Sequence, residues 1–580
     1  MKYIIIGGVA GGATTAARLR RLDENSQIIV FEKGAYISYA NCGMPYYIGG
    51  TIAEREKLFI QTPEGFGRRF NLDVRVNTEV LSIDSSGKKI KAKNLITSEV
   101  YEEPYDKLVL SPGAEPVKPA LPGIDLPGIF TLRNIADTDK IKTFATDHKL
   151  GRALVVGGGF IGLEMAENLH KLGIRVSIVE MSEQMMNPLD YSMASIVHQH
   201  LKTKNVEFYL KEGVTAFSNV NEQLEVTLTS GRKLTVDMVI LSIGVRPDVK
   251  LAREAGLKIG ITGGIRVNKY LQTSSPDIYA VGDAIEFDSP ITGKPIITYL
   301  AGPANRQGRI CADNIATGNK IEYKGSIGTA IAKVFDITVA STGAAGKTLK
   351  KEGIAFLEST THSASHAGYY PGAIPMSIKI IFSPVKGELM GAQVVGYDGV
   401  DKRLDLLASV IKNNGTIYDL IDIEHAYAPP YSSAKDPVNM AGYVAENILT
   451  GKVKPIYWRD INAKCADDAF LLDVRTPGEF KLGSIPGAIN IPVDDLRTRI
   501  SELPHDKEII SFCAVGLRGY IASRILTQGG FSRVFNLSGG YKTWECAVKK
   551  QSNEDIYENI IIKKDDQLYQ QAPGQKKDNS

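Results

Sequence analysis

The sequence predicts an α/β protein with two parallel-sheet nucleotide folds, and three observations carry that expectation. A strand–glycine turn–helix–strand pattern occurs twice, with Gly7 and Gly157 in corresponding places. The chain has 580 residues, too many for one core; at roughly 100 to 200 residues per domain it should hold three to five domains. Hydrophobic content of 43% and charged content of 23% are those of ordinary globular protein.

The first copy reads KYIIIGGVAGGATTAARLRRL followed by IIVFEK, and the second RALVVGGGFIGLEMAENLHKLG followed by VSIVEM. Each is a β-branched strand, a glycine turn, a helix and a second strand ending in glutamate, which is the dinucleotide-binding unit. The glycines permit a tight turn and close approach of a pyrophosphate to N–H groups at the positive end of the helix. The glutamate accepts hydrogen bonds from ribose hydroxyls. The second copy is complete, with Gly157, Gly159, Gly162, Ala166 and Glu180. The first keeps Gly7, Gly12 and Glu32 but has Val9 where the second glycine belongs.

A net charge of +3 is small for this length and suggests no nucleic-acid or membrane partner. MKYIIIGG suits a buried strand rather than a signal peptide, and no run approaches the roughly 18 apolar residues of a membrane span. Five scattered cysteines (42, 311, 465, 513 and 546) argue against a disulfide framework or a metal site. A reducing, cytoplasmic setting follows, in which a special cysteine is catalytic.

Further segments assign the two nucleotides. YDKLVLSPGAEP (105 to 116) and VDMVILSIGVRPD (236 to 248) resemble crossing strands between nucleotide domains, and TSSPDIYAVGDA (273 to 284) resembles a segment whose aspartate, here Asp283, holds the ribityl chain of FAD. Together they resemble the FAD- and NAD(P)-dependent disulfide reductase family over about 450 residues. The resemblance implies FAD on Gly7, Gly12, Glu32 and Asp283, and NADH (or NADPH) on Gly157, Gly159, Gly162 and Glu180. Glu180 would repel a 2′-phosphate and Met181 offers no arginine to receive one, which favours NADH.

Within that family the segment SYANCGMPYYIGG (38 to 50) is informative. Familiar members carry a C-x4-C pair facing the flavin; here Tyr47 stands where the second cysteine would be. Cys42 must therefore cycle through a sulfenic acid or a mixed disulfide. The peroxide- and oxygen-reducing branch has a histidine in the first glycine loop, where this chain has Ala10. The coenzyme A disulfide reductase branch is more similar, sharing Ser38, Asn41, Cys42, Gly43, Pro45, Tyr46 and Tyr47. It implies coenzyme A phosphates on Arg18 and Arg21, with Arg68 and Arg69 as further candidates. HAGYYPG (366 to 372) and EHAYAPPYSSAKDPVN (424 to 439) resemble the family's dimerisation domain. The implication is a homodimer in which Tyr369 and Tyr427 reach the opposite subunit's site and donate to a leaving thiolate.

FLLDVRTPGEFKLGSIPGAINIP (470 to 492), IISFCAVGLRGYIASRIL (509 to 526) and SGGYKTW (538 to 544) resemble the rhodanese domain. The six-residue loop from Cys513 to Arg518 would form a nest of N–H groups for a persulfide or anion. The expected organisation is an FAD-binding domain (1–112 and 246–320) around an NAD(P)H-binding domain (113–245), an α+β dimerisation domain (321–452), an α/β rhodanese domain (456–550) and a flexible tail (551–580). The expected activity is NAD(P)H-driven reduction of coenzyme A disulfide, coenzyme A persulfide or polysulfide at Cys42, with Cys513 handling sulfane sulfur. The alternatives are an NADH oxidase or peroxidase, and a thiol redox sensor.

Overall fold

The structure, a computed structural model, describes residues 1–148 and 150–548; the tail expected over 551–580 lies outside the described residues. Its first sheet is wholly parallel, in the order Ile278–Ala280, Lys107–Leu110, Lys2–Ile6, Gln27–Phe31, Asp73–Arg75. Parallel strands covered on both faces read as continuous β-branched runs, and Ile4, Ile5, Ile28, Ile29 and Val30 are all buried. Strand Ile278–Ala280 thus pairs with Lys107–Leu110, which precedes it by more than 160 residues. Helix Ala10–Leu22 packs on helix Ala301–Thr317, where Thr15 Oγ1 donates to the Gly308 carbonyl at 3.2 Å.

The second parallel sheet runs Glu207–Leu210, Arg175–Glu180, Arg152–Val156, Met238–Leu241, Ile129–Thr131. Between the two sheets the chain crosses out and back on paired antiparallel strands, Ala114–Pro116 and Val245–Pro247. A five-stranded antiparallel sheet follows, ordered Ala330–Val334, Ile337–Gly343, Leu389–Gly396, Pro375–Phe382, Leu357–Ala364. Helices Val400–Lys412 and Pro437–Leu449 pack on it through Leu404, Leu407, Val438 and Ala441. The last sheet is parallel again: Pro455–Ile456, Val534–Leu537, Ile509–Phe512, Phe470–Asp473, Ile489–Asn490. Among the described residues no helix is long and apolar enough to cross a membrane.

A row of buried charges joins three of these units. Lys379, on the antiparallel sheet and 3% exposed, lies 3.0 Å from Asp190 and 2.8 Å from Glu358. Asp190 precedes helix Tyr191–Thr203 and also accepts from the Gly346 and Lys347 N–H groups and the Gln393 amide. Glu358 pairs with Arg459 at 2.9 Å, and its carbonyl accepts from the Tyr457 hydroxyl at 3.1 Å. Tyr191 stacks on Trp458, ring centroids 5.5 Å apart. His362 bridges the sheet to the last helix through Ser377 and Thr543, each at 2.8 Å. The C-terminal unit is therefore seated on the rest of the chain by paired polar contacts as well as by the linker. Lys379→Met should leave two carboxylates short of a cation and lower stability by about 3 kcal/mol, because an uncompensated buried charge is costly. A thermal or urea unfolding series checks this, and an unchanged midpoint would count against it.

Candidate active site

The glycine turns of the two copies superpose in their logic. Gly7 and Gly157 have φ of +99° and +108°, a region that strains any residue with a Cβ. A Cβ at Gly12 would overlap the Gly7 carbonyl oxygen, and one at Gly162 would overlap the Gly157 carbonyl oxygen, so helix and strand meet only without side chains. Gly159 differs: a Cβ there would meet nothing within 4 Å, leaving open space where a pyrophosphate approaches. Glu32 accepts from Gly8 N–H at 2.9 Å and Gly34 N–H at 2.8 Å. Glu180 accepts from Gly158 N–H at 2.7 Å and Ser182 N–H at 2.8 Å. Burial pushes the Glu32 carboxyl up, against the pull of its two N–H donors.

Beside the first turn lies a cleft of about 680 Å³ lined by Gly7, Glu32, Tyr39, Glu115 and Arg133. The Arg133 Nε is buried without a partner, and its charge opposes the rise that burial imposes on Asp283. An unpaired guanidinium nitrogen, a side-chain-free turn and a ribose acid are the donor set that an adenine dinucleotide needs. These residues fit FAD.

Cys42 lies in the 3-10 turn Asn41–Gly43 before helix Met44–Ile48 and is exposed. Its segment leans on the first glycine loop: Ser38 N–H donates to the Gly8 carbonyl at 2.9 Å, and Ala40 N–H to Leu58 at 2.8 Å. The Asn41 Oδ1 is buried with no partner. Partial desolvation raises the Cys42 thiol, and the carboxylates of Glu164 and Asp283 push the same way. Glu164 was not among the residues read from the sequence. It sits on helix Phe160–Lys171 of the second copy and accepts from the Tyr46 hydroxyl at 3.4 Å. Burial, with Glu167 adding to it and Tyr46 opposing, pushes its carboxyl up to about 7. Its one sequence signal was an acid two residues past the last glycine of an otherwise apolar helix start.

Tyr369 and Tyr427 are brought together, their hydroxyls 2.6 Å apart, at 75% and 47% exposure. Their loops are joined by Ala367 N–H to Ser432 O at 3.0 Å and by buried Arg403, which donates to Ser365 O and pairs with Asp436, both at 2.9 Å. Of the two arginines expected on coenzyme A, Arg18 is paired with Asp313 at 2.7 Å, and Arg21 is exposed with its Nε on the Ala17 carbonyl. Arg20 between them is buried and donates to five carbonyls of its surroundings. Arg68 and Arg69 are exposed.

At the far end of the chain, Cys513 follows strand Ile509–Phe512 and is buried. Gly516 N–H donates to its Sγ at 3.1 Å, and helix Leu517–Gln528 begins at the next residue. Arg518 forms a two-pronged pair with Glu479 at 2.7 and 2.6 Å. That pair holds the Glu479 carboxyl down to about 2. Glu479 was also missed in the sequence, where T-x-x-E reads as a helix cap.

Glu164 keeps its proton to about pH 7 when folded and to about 4.5 otherwise. A raised carboxyl is a stability that fades with rising pH, so the chain should lose up to a few kcal/mol between about pH 4.5 and 7. Glu164→Gln should flatten that part of the melting temperature against pH; a slope equal to wild type would refute the assignment.

Residues 1–307 match the family described as pyridine nucleotide-disulphide oxidoreductase, and 329–437 match that family's dimerisation domain. Residues 457–547 match the rhodanese-like domain. The coenzyme A disulfide reductase of Staphylococcus epidermidis is 39% identical over 445 residues, 77% of this chain and 100% of that protein. The solved structure of reduced Bacillus anthracis CoADR-RHD shares 51% identity at a TM-score of 0.93, covering 94% of this chain and 98% of that one. A NAD-dependent persulfide reductase from A. fulgidus shares 38% at a TM-score of 0.88, covering 94% and 100%. The expected α/β architecture and family stand on these likenesses. On these matches, which cover more than half of the chain, it belongs to the pyridine nucleotide-disulphide oxidoreductase family and ends in a rhodanese-like domain.

Proposed function

We propose that this protein uses NADH to reduce coenzyme A disulfide or coenzyme A persulfide at Cys42, while Cys513 handles sulfane sulfur. One observation carries the reading: a single cysteine, with Tyr47 in place of a second, is held against the FAD-type turn by the Ser38 to Gly8 hydrogen bond. The relatives named coenzyme A disulfide reductase and persulfide reductase support the same substrate class.

FAD, when bound, supplies a two-electron path between nicotinamide and sulfur. Gly7, Gly12, Glu32, Arg133 and Asp283 would hold it; Gly157, Gly159, Gly162 and Glu180 would hold NADH. The Cys42 thiolate attacks the coenzyme A sulfur of the persulfide, forming a mixed disulfide and releasing hydrosulfide; with the disulfide it releases coenzyme A thiolate instead. Two electrons then return both partners of the mixed disulfide to thiolates. Asn41, whose buried oxygen lacks a partner, orients the substrate beside Cys42 with Ser38. Glu164, protonated near neutral pH, supplies a proton where sulfur leaves. Arg18 and Arg21 face coenzyme A phosphates, which requires Arg18 to exchange Asp313 for phosphate.

The dimerisation-domain match favours a homodimer, and the tyrosine pair is exposed to a partner. Tyr369 and Tyr427 would donate to the thiolate leaving Cys42 of a second copy. The five cysteines, none in a disulfide, suit a reducing cytoplasm.

Cys42→Ser should retain flavin, since the turn and Glu32 are untouched, yet lose at least about a thousandfold in NADH-driven reduction of coenzyme A persulfide, because serine forms no mixed disulfide. Steady-state turnover with a flavin absorption spectrum measures both, and near-normal turnover would remove Cys42 from the reaction. NADH should be preferred to NADPH by kcat/KM, since Glu180 would face the 2′-phosphate in a partly desolvated site. A preference for NADPH would reverse the cofactor assignment.

A further inference from the structure

The loop around Cys513 contains one charged side chain, Arg518, and its charge is already matched. Its guanidinium meets both carboxylate oxygens of Glu479, and such fork-to-fork pairs are strong and geometrically specific. Glu479 is fixed in turn by the Thr476 N–H at 2.9 Å and hydroxyl at 3.0 Å. The other arginine at this end of the sheet, Arg475, is bound to buried Asp473 at 2.7 Å and lies over the Tyr541 ring at 4.3 Å. Lys542 N–H donates to the Ala514 carbonyl, but its side chain lines a separate cavity with His362 and Cys546. Lys481, on the short helix that carries Glu479, is exposed.

What the loop does expose is apolar. Val515, Leu517 and Ile521 are exposed, Leu517 at 58%, and Leu517 and Ile521 share one face of their helix. Leu482, just past the Glu479 helix, is 92% exposed.

A thiosulfate donor brings two negative charges and releases sulfite. Both need cationic compensation; Arg518 reaches Cys513 but has its charge matched by Glu479, so beyond that neutralised pair the loop offers N–H dipoles. An organic persulfide, R–S–SH, brings a carbon body that can lie on Val515 and Leu517 and releases a thiol. We infer that Cys513 takes sulfur from organic persulfides with an uncharged carbon body in preference to thiosulfate. The inference rests on the sulfur-handling role proposed for Cys513. The Cys513 thiolate attacks the terminal sulfur; a new Sγ–S bond forms as the S–S bond breaks. The electron pair leaves on R–S⁻, which takes a proton from water to give R–SH, and Cys513 carries –S–SH. The Gly516 N–H at 3.1 Å supports the attacking sulfur.

The test is single-turnover loading of the full chain without NADH, using equal concentrations of thiosulfate or N-acetylcysteamine persulfide. Intact mass reads the added sulfur, and Cys513→Ser subtracts loading at the other cysteines. The persulfide should load wild type at least about tenfold faster. Glu479→Gln frees Arg518 and should raise the thiosulfate rate about tenfold, in a salt-sensitive manner, while the persulfide rate changes little. Leu517→Lys, which leaves the helix cap intact, should raise the thiosulfate rate as well. Equal loading of wild type by both donors, or no gain for thiosulfate in both variants, would overturn the inference. Failure of both donors to load Cys513 would instead overturn the sulfur-handling role beneath it.

Discussion

The contact on which the reductase part depends is that of the first glycine turn with its own helix. Gly12 lies against the Gly7 carbonyl with no space for a Cβ, and that approach fixes the start of helix Ala10–Leu22 over the strand end. The same turn offers the Gly8 N–H to Glu32 and the Gly8 carbonyl to Ser38. One short segment therefore sets the ribose acid, the anion-facing helix end and the cysteine-bearing loop relative to one another. A side chain at Gly12 would displace all three together. The second copy repeats the turn and the acid but carries no cysteine loop.

The two sulfur sites are built in opposite electrostatic styles. Around Cys42 the neighbouring ionisable groups are acids, Glu164 and Asp283, and the thiol is raised. Cys513 has the Gly516 N–H directed at its sulfur and its arginine offset by Glu479. Backbone dipoles stabilise an anion over a short range without attracting multiply charged ions from afar.

The last domain is joined to the rest by a row of paired charges, buried Asp190, Lys379 and Glu358 and the exposed Arg459. Buried ion pairs are weak sources of net stability, and their directional demands serve better to select one arrangement of parts. Here the row ends at the linker to the last domain and begins at Asp190, the residue that leads out of the loop after Glu180. The last domain is therefore seated on the rest of the chain rather than loosely tethered.

The elements that repeat along the chain were legible because their signals are local. A β-branched run, glycines at fixed intervals and a terminal acid determine a nucleotide fold within thirty residues, and the loop from Cys513 to Arg518 is set by one strand end and one helix start. The lone Cys42, with Tyr47 where a dithiol would have its second sulfur, was likewise plain from spacing. Other features were decided only in three dimensions. Glu164 approaches Cys42 from the other nucleotide domain, and Arg518 meets Glu479 across 39 residues. Arg18 and Arg20 read alike in sequence, yet one pairs with a distant aspartate and the other is buried on carbonyls. Backbone geometry and short-range spacing are properties of contiguous residues, so the sequence by itself determined the folds and the two cysteines. Which charge meets which partner depends on how separate domains pack, and that packing alone set the protonation of Glu164 and the neutral surroundings of Cys513.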